Sequence, residues 1–410
     1  MTADNSDETA PGRYPRTWGA RPSGRRRKPR TRRQKALLIS ACTLAGAVAL
    51  GGVGAGFAYV KLNGNLSGVD INAALGTDRP QDTPDGSMDI LVLGSDSRAG
   101  KNSGYGQDDG SSRSDTAMVV HLNKDHDRAS VVSIPRDTVV NRPSCAGTAD
   151  GKGAGAHGQR GRSDDDQNEG AAPQRAMFNS AYQVGGPACA VKTVESLSGV
   201  RMDHYVEVDF DGFKKLINTL GGVKMTTTRS INDPESHLRL PAGTHRLDGE
   251  QALGLVRTRH GVGDGSDLGR IQLQQSFVKS LLNQVNSIGL FSNPKRLYDL
   301  ADTATSALTT DSDLDSVNSL TGLARTLKGV TSDDVQMTTL PVRYDPANVN
   351  RVVPIDSKAK QVWRALKHDR RVPKSATSTS AGDSADAEGV IQDGDGGSSH
   401  SAGQARTERR

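Results

Sequence analysis

Three short apolar runs, each next to a motif that contains Asp and Arg, constrain the fold of this 410-residue chain most strongly. Their length and β-branched content are typical of buried strands. The runs are Ile90–Leu93, Met118–Leu122 and Val131–Ile134, and the motifs beside them are GSDSR (94–98), RSD (113–115) and IPRD (134–137). The pattern therefore predicts a sheet with alternating Asp and Arg side chains along one edge.

The residue types in these motifs suit phosphate chemistry assisted by a metal ion. Carboxylate oxygens are the hard ligands that Mg²⁺ prefers, and the planar guanidinium of Arg donates to two phosphate oxygens at once. No cluster of Cys or His adjoins the motifs in the sequence. The alternative is structural: Asp96 and Asp115 would cap turns, and Arg136 and Asp137 would form an ion pair at a strand end.

A segment of 25 residues without a charged side chain, 36–60, follows a strongly basic leader. It is long enough to cross the roughly 30 Å hydrocarbon core of a bilayer. A cleaved signal peptide is the alternative, but the segment exceeds the apolar run of about 7–15 residues usual there. Because basic residues tend to stay on the cytoplasmic side, we predict a single-pass anchor in the cell membrane, with residues 1–35 in the cytoplasm and the chain after about residue 61 outside.

The net charge of +5 belongs to the leader rather than to the folded region. Residues 1–35 hold 11 Lys and Arg against 3 Asp and Glu, and the rest of the chain holds 41 against 44. A nucleic-acid-binding domain should present a basic face, so these counts argue against nucleic acid as a partner. Attraction to anionic lipids explains the basic leader more simply.

Cysteine usage fits a domain outside the cytoplasm. Cys42 lies in the predicted anchor, whereas Cys145 and Cys189 lie beyond it. Two cysteines in an oxidising compartment can pair. We therefore predict a disulfide between Cys145 and Cys189, with two free thiols as the alternative.

Shifts in composition divide the rest of the chain into a linker, one mixed α/β domain and a disordered tail. Segments rich in Gly, Ser and Asp with few apolar residues cannot bury enough surface to order themselves. The predicted segments are the linker (61–85), the domain (86–370) with a mobile insertion (150–173) and the tail (371–410). Inside the domain, separate helices are predicted at Phe178–Tyr182 and Cys189–Leu197.

Two further motifs add candidate site residues. VRTRH (256–260) presents Arg257 and Arg259, which project to the same side if this segment is extended. DLGRIQLQQ (267–275) starts a predicted helix on which Arg270 and Gln274 share one face. None of these strings is specific alone, and their order beside predicted strands carries the signal.

Taken in order, these motifs resemble the LytR–CpsA–Psr family of cell-envelope proteins over about residues 89–282. The matching text is DILVLGSDSR, RSDTAMVVHLN, SIPRDTVV, NSAYQVGGP, HYVEVDFDGFKKLINTLGGV, LPAGTHRLDGEQALGLVRTRH and DLGRIQLQQSF. The resemblance implies an α/β/α sandwich with a mixed central sheet and an apolar pocket for a polyprenyl chain. It also implies a phosphotransferase that moves a wall glycopolymer, such as teichoic acid, from undecaprenyl pyrophosphate to peptidoglycan.

The resemblance assigns roles to individual positions. Asp96 and Asp115 match metal-binding carboxylates for Mg²⁺, with Mn²⁺ as the alternative ion. Asp267 matches a carboxylate that helps to activate the acceptor hydroxyl, with Asp264 close by as a substitute, and Arg136 is its catalytic partner. The positions expected around the pyrophosphate are Arg98, Arg113, Arg136, Arg257, Arg259, Arg270 and Gln274.

One position departs from the family pattern. Leu273 stands where many relatives have a further Arg, which could remove a phosphate or surface contact. Two other functions fit the same motifs: a pyrophosphatase that hydrolyses polyprenyl pyrophosphate, and a non-catalytic protein that binds lipid-linked envelope intermediates for a partner enzyme.

Overall fold

A computed structural model describes residues 52–82, 86–95, 114–145, 174–259, 262, 266–288, 293–382 and 391–392. The chain divides into two units, Met1–Phe57 and Ala58–Arg410. Residues 52–57 of the first unit are helical, as are residues 58–65 of the second. The predicted cytoplasmic leader, most of the predicted anchor and the insertion at 150–173 lie outside the described residues. None of the helices within the described ranges has both the length and the apolar character needed to span a bilayer.

The elements of the second unit follow the mixed α/β pattern that the sequence predicts. The strands are β1 (Ser67–Val69), β2 (Met88–Ser95), β3 (Ser114–Leu122), β4 (Ala129–Ile134), β5 (Val139–Arg142), β6 (Gln174–Met177), β7 (His204–Asp209), β8 (Val223–Thr227), β9 (Ile231–Asp233), β10 (Leu238–Leu240), β11 (Gly243–Leu247), β12 (Leu308–Asp311), β13 (Val335–Thr339), β14 (Val342–Asp345), β15 (Asn348–Pro354) and β16 (Ile391–Gln392). The helices are α1 (Ile71–Leu75), α2 (Asn179–Ser198), α3 (Phe210–Thr219), α4 (Gly249–Arg257), α5 (Asp267–Ser287), α6 (Pro294–Ala307), α7 (Val317–Leu327), α8 (Asp356–Lys367) and α9 (Lys374–Thr377), with a 3₁₀ turn at Ser332–Asp334.

A seven-stranded mixed sheet in the order β1-β12-β7-β2-β3-β4-β13 forms the centre of this unit. The three apolar runs become its neighbouring strands β2, β3 and β4, which pair antiparallel. The second and third runs, β3 and β4, thus form a β-hairpin. Because β3 runs opposite to its neighbours, the edge where β2 and β4 end is also the edge where β3 begins.

Helices cover both faces of the sheet, as the resemblance implies. Leu91 and Val119 face one side, where they pack with Val362 of α8 in a buried apolar cluster that also includes α2. Val92 and Met118, on the alternate positions, face the other side and pack against α5. Burying each such side chain contributes about 1.5–3 kcal/mol.

The predicted linker is wrong for residues 67–75, which are part of the domain. Strand β1 pairs with β12 at the sheet edge, and Ile71 and Leu75 of α1 are buried. Arg79 then forms a buried ion pair with Glu195 of α2, at 2.6 Å between Nη2 and Oε1. The segment is polar on average, and its few apolar residues at helical spacing are sufficient to dock it.

The predicted start of the disordered tail, at residue 371, is also wrong. Val372 and Ala376 are buried, and the backbone oxygen of Gly382 accepts a hydrogen bond from Gln272 of α5 at 2.9 Å. A Cβ on Gly382 would lie 3.1 Å from the Cγ2 atom of Thr339. The small side chains that make this segment look disordered in composition are what let it pack closely.

The two separately predicted helices form one kinked element, α2. Gly185 and Gly186 have non-helical backbone angles, and Gly186 has a φ of +61°. Cys145 and Cys189 are joined in a disulfide, with Cα atoms 5.4 Å apart, which is the pairing that the sequence predicts. A Cβ on Gly185 would lie 2.7 Å from the Cβ of Cys189, so a glycine there makes room for the disulfide.

Candidate active site

A large cavity of about 840 Å³ opens between the central sheet and helices α3–α6. Its volume lies within the range of about 300–1,000 Å³ usual for ligand sites. Most of its wall is aliphatic or aromatic, including Val92, Met118, Val206, Val208, Phe210, Phe213, Leu216, Phe277, Val278, Leu281, Val285 and Leu300. This part of the cavity can accept a long apolar chain.

The mouth of the cavity is polar and holds most of the site residues expected from the sequence. The expected residues that line it are Asp115, Arg136, Arg257, Arg259, Arg270 and Gln274. Asp267 joins them through its ion pairs with three of these arginines. Asp96, Arg98 and Arg113 lie outside the described residues.

The sheet topology explains why these side chains meet. Asp115 lies at the beginning of β3, where Ser114 pairs with Ser95 at the end of β2 across an irregularity in the register. Arg136 follows the end of β4. Both therefore lie at the same sheet edge, and the first turn of α5 brings Asp267 to it.

Arg136 lies among three carboxylates. Its Nη1 atom donates to Oδ1 of Asp115, and its Nε atom lies 3.7 Å from Oδ2 of Asp137 and 3.6 Å from Oδ1 of Asp267. Burial acts to lower the pKa of Arg136, but the three carboxylates outweigh this effect and the pKa is raised. The side chain is therefore held firmly as a cation.

Asp267 presents one occupied and one available oxygen. Its Oδ1 atom lies 2.5 Å from Nη2 of Arg270 and 3.4 Å from Nη2 of Arg259. Its Oδ2 atom is buried and has no hydrogen-bond partner in the described part of the chain. A buried carboxylate oxygen normally has a partner, so Oδ2 keeps an unused capacity to accept a hydrogen bond.

Arg270 is a buried cation, with its side chain 5% exposed. Its Nη2 atom donates to the backbone oxygen of Asp115 at 2.9 Å. Burial lowers its pKa, repulsion by Arg259 and Arg136 adds to this effect, and attraction by Asp267 opposes it. Arg259 and Arg136 repel the Arg270 cation, so a bound phosphate would give it a further favourable partner.

The prediction that Arg257 and Arg259 share an extended segment is wrong in part. Arg257 is the last residue of α4, and the extended backbone begins at Thr258. A capping box at Asp248 stabilises the first turn of α4, and burial of its apolar face stabilises the rest of the helix as far as Arg257. Both arginines still line the cavity, and the guanidinium of Arg257 lies 4.8 Å from the ring centre of Phe210.

Gln274 and Leu273 of α5 face different surroundings. The Nε2 atom of Gln274 donates to the backbone oxygen of Val256 at 2.9 Å and to Oγ1 of Thr116 at 3.1 Å. Leu273 is 1% exposed and packs in the apolar cluster that contains Val223 and Phe277. Leu273 is therefore a core residue here, and its side chain does not line the cavity.

Four carboxylates that line the cavity were not singled out from the sequence as site residues: Asp137, Asp209, Asp233 and Glu235. Burial raises the pKa of Asp137, and the neighbouring Asp267 adds to this effect against the pull of Arg136, Arg259 and Arg270. Asp233 is 1% exposed, and its Oδ2 atom accepts a hydrogen bond from the backbone nitrogen of Arg259 at 3.0 Å. The IPRD motif contains Asp137, but no sequence signal identifies Asp233.

The donor set at the mouth suits a magnesium ion that is shared with a phosphate ligand. Mg²⁺ usually binds one or two carboxylates together with substrate phosphates and water. Asp115 provides one such carboxylate at the mouth, where its side chain is 22% exposed. No group of three or more His, Cys, Asp or Glu side chains that could hold a metal occurs among the residues that the structure describes.

Comparison with known proteins places this architecture in a family. The family model for LytR_cpsA_psr matches residues 58–368. The chain is 32% identical to the cell wall biosynthesis protein LcpA of Corynebacterium glutamicum over 268 residues, which cover 63% of this chain and 50% of LcpA. It is 30% identical to TagT of Bacillus subtilis over 358 residues, which cover 85% of this chain and 98% of TagT. TagT is a polyisoprenyl-teichoic acid–peptidoglycan teichoic acid transferase.

Solved structures show the same fold. TagT bound to LI-WTA has a TM-score of 0.51 at 25% identity, over 74% of this chain and 98% of that one. A LytR-Csp2A-Psr enzyme from Actinomyces oris has a TM-score of 0.53 at 23% identity, over 74% of this chain and 96% of that one. The mixed central sheet and its flanking helices are thus those of this group of structures.

Proposed function

The chain belongs to the LytR–CpsA–Psr family, and on that premise we propose that it is a membrane-anchored phosphotransferase. In this proposal it transfers a wall glycopolymer from a polyprenyl pyrophosphate to peptidoglycan. The observation that carries the proposal is the joining of an apolar cavity of about 840 Å³ to a mouth lined by Arg136, Arg257, Arg259 and Arg270. A lipid pyrophosphate has the same two parts, an apolar chain and a compact anion.

The arginines would bind and orient the pyrophosphate. Phosphoryl transfer is catalysed mainly by positioning and by neutralising charge on the phosphate oxygens. Arg136 and Arg270 are held by carboxylates and by backbone atoms, so they need little reorganisation when the anion binds. Gln274 supports the same wall through Val256 and Thr116.

A magnesium ion would be held by Asp115, with Asp96 as the second carboxylate that the sequence suggests. When bound, such an ion neutralises phosphate charge and orients the phosphorus for attack. Asp115 is paired with Arg136, so the same carboxylate would connect the ion to the arginine group.

Asp267 would act as the general base. The acceptor hydroxyl of peptidoglycan attacks the phosphorus that carries the glycopolymer, and its proton passes to Oδ2 of Asp267. The bond from this phosphorus to the bridging oxygen breaks, and polyprenyl phosphate leaves. The products are a glycopolymer–peptidoglycan phosphodiester and a lipid phosphate, which is a good leaving group and needs little protonation.

The test is a product analysis with the full-length chain in detergent. The chain is incubated with Mg²⁺, a polyprenyl-pyrophosphate oligosaccharide and peptidoglycan fragments, and the products are identified by mass. We expect a saccharide–phosphate–muramyl adduct that is absent with Arg136→Ala. Polyprenyl phosphate without an adduct would instead support a pyrophosphatase, and tight lipid binding without turnover would support a carrier protein.

A further inference from the structure

Phe210 lies where the apolar wall of the large cavity meets its arginines. Its ring centre is 4.8 Å from the guanidinium carbon of Arg257, and both residues line the cavity. Phe210 is 8% exposed. The distance is well within the limit of about 6 Å at which a cation and a ring attract each other. The contact therefore joins the apolar part of the cavity to its cationic part.

The backbone of Phe210 is fixed by the strand before it and by the helix that it starts. Asp209 ends β7, where it pairs with Ser95 of β2, and its Oδ1 atom accepts a hydrogen bond from the backbone nitrogen of Gly212 at 2.7 Å. A Cβ on Gly212 would lie 2.6 Å from the backbone oxygen of Ala307 at the end of α6. The Phe210 side chain is thus carried by a backbone that is held on both sides.

Helix α4, which carries Arg257 at its end, also contacts α3 at its start. The backbone nitrogen of Gly249, the first residue of α4, donates to Oδ1 of Asn218 at 2.8 Å. A Cβ on Gly249 would lie 2.5 Å from the backbone oxygen of Lys214. The start of α4 therefore lies against the later part of α3, and its end lies at Phe210, the first residue of α3. The two helices pack antiparallel, and this packing brings the ring to the guanidinium.

An aromatic ring suits a residue that holds a cation ready for an anionic ligand. Arg136 and Arg270 are held by ion pairs with Asp115 and Asp267, whose negative charges offset part of theirs. The face of a ring attracts a guanidinium without carrying a net charge. Arg257 also ends α4, and the carbonyl end of a helix stabilises a cation. Both effects hold the Arg257 guanidinium in place without neutralising it.

We propose that Phe210 is a positioning residue that orients Arg257 toward the donor pyrophosphate, an inference that rests on the proposed function. Phe210 acts through Arg257 and does not itself contact the phosphates. The alternative is that Phe210 only forms part of the wall on which a lipid packs, like Phe213, whose ring centre lies 5.6 Å from that of Phe277. The two roles differ in one measurable respect, because only a positioning residue loses its effect when Arg257 is absent.

The experiment measures the dissociation constant of undecaprenyl pyrophosphate for the full-length chain in detergent with Mg²⁺. Phe210→Leu, Phe210→Met and Phe210→Tyr are each made in the wild type and in Arg257→Ala. Phe210→Met keeps most of the side-chain volume without the ring, and Phe210→Tyr keeps the ring. Phe213→Leu in the same two backgrounds is the matched control, because Phe213 lines the same apolar wall.

We expect Phe210→Leu and Phe210→Met to raise the dissociation constant about fivefold to thirtyfold in the wild type, which is the range for loss of a largely desolvated cation–π contact. In Arg257→Ala the same changes should have an effect of less than about twofold, because coupled residues are not additive. Phe210→Tyr should restore most of the affinity, and Phe213→Leu should weaken binding by the same factor in both backgrounds.

Two results would overturn the inference and leave the proposed function standing. One is an equal loss of affinity from Phe210→Leu and Phe210→Met in both backgrounds, which would assign Phe210 to the lipid wall alone. The other is an unchanged affinity in the wild-type background. Failure of the wild type to bind the probe would instead overturn the proposed function and the inference with it.

Discussion

The Oδ1 atom of Asp267 lies 2.5 Å from the Nη2 atom of Arg270, one turn later on the same helix, while the Oδ2 atom of Asp267 is buried and has no partner in the described ranges. The pair orients the carboxylate at the mouth of the cavity. One oxygen is committed to the arginines, and the other keeps an unused capacity to accept a hydrogen bond. This division of roles is the basis of the first prediction.

Replacement of Asp267 by Asn should abolish most of the transfer activity. A positioned general base contributes about 10²–10⁴-fold to a rate, so kcat should fall by that range while donor affinity changes little. Asp137→Asn should lower kcat by less than about tenfold, because Asp137 is not the proposed general base. Steady-state kinetics with both variants checks this assignment. A larger loss in Asp137→Asn would move the base to Asp137, whose pKa burial raises.

Replacement of Asp115 by Asn should weaken the response to magnesium. Removal of one carboxylate from a Mg²⁺ site that has few protein ligands should raise the ion concentration for half-maximal activity by at least about tenfold. Titration of activity and of Mg²⁺ binding in the presence of a pyrophosphate ligand measures the shift. Asp127→Asn, at an exposed turn, is the matched control, and equal titration curves for the two variants would refute the role of Asp115.

Replacement of Asp233 by Asn should weaken donor binding without removing the general base. Asp233 holds the backbone nitrogen of Arg259 at 3.0 Å, so its loss should let Arg259 move and raise the KM for the donor by about tenfold, with kcat nearly unchanged. Asp299→Asn on the exposed surface of α6 is the control. A fall in kcat with an unchanged KM would show that Asp233 does not act through Arg259.

Removal of the disulfide should lower stability. Cys145 and Cys189 close a loop with a sequence separation of 44 residues, and bonds of this kind typically contribute about 2–4 kcal/mol to the free energy of unfolding. Urea unfolding of Cys145→Ser/Cys189→Ser should show this decrease, and a reductant should produce the same decrease in the wild type. Identical unfolding curves with and without reductant would contradict the prediction.

Stability should decrease as the pH rises above about 6.5. Burial acts to lower the pKa of His121, but its contacts with Asp89 at 2.9 Å and Asp369 at 3.3 Å outweigh burial and raise the pKa. The folded state then binds this proton more tightly than the unfolded state. The stabilising contribution is complete below the unfolded pKa and is lost as the pH rises through the folded one.

Urea unfolding at pH 6 and pH 8.5 tests this dependence. Burial acts to lower the pKa of His204, but its contact with Asp311 outweighs burial and raises this pKa as well. His121→Asn should therefore reduce the pH dependence of stability, and the double variant His121→Asn/His204→Asn should nearly remove it. His368→Asn, at an exposed position, should keep the full dependence. A wild type that is more stable at pH 8.5 than at pH 6 would reverse the sign and refute the argument.

Much of the central sheet could be predicted because its signals are local. The β-branched runs of β2, β3 and β4 have the composition of buried strands, and the short connection between β3 and β4 permits only an adjacent antiparallel pair. The order of the motifs that contain Arg136, Arg257, Asp267 and Arg270, together with the other matching segments over residues 89–282, was sufficient to indicate the family. Arg136 follows the end of β4, whereas helices α4 and α5 bring Arg257, Asp267 and Arg270 to the same place.

Other features depended on contacts between distant segments. The packing of residues 67–75 and 372–382 comes from a few apolar or small side chains whose partners are far away in the sequence, so composition alone predicted a linker and a tail. The helical position of Arg257 follows from the capping box and the buried face of α4. The role of Asp233 follows only from its distance to Arg259.

The sequence by itself determined strands β2, β3 and β4, the residue types of the site and the family, because these depend on local composition and on motif order. Tertiary structure decided which oxygen of Asp267 has no partner in the described ranges, that Leu273 is a core residue and that Arg257 lies against Phe210 in the cavity wall. Each of these depends on how helices α3, α4 and α5 pack together. Such packing is a sum of many weak contacts between residues far apart in the chain, and no local pattern encodes it.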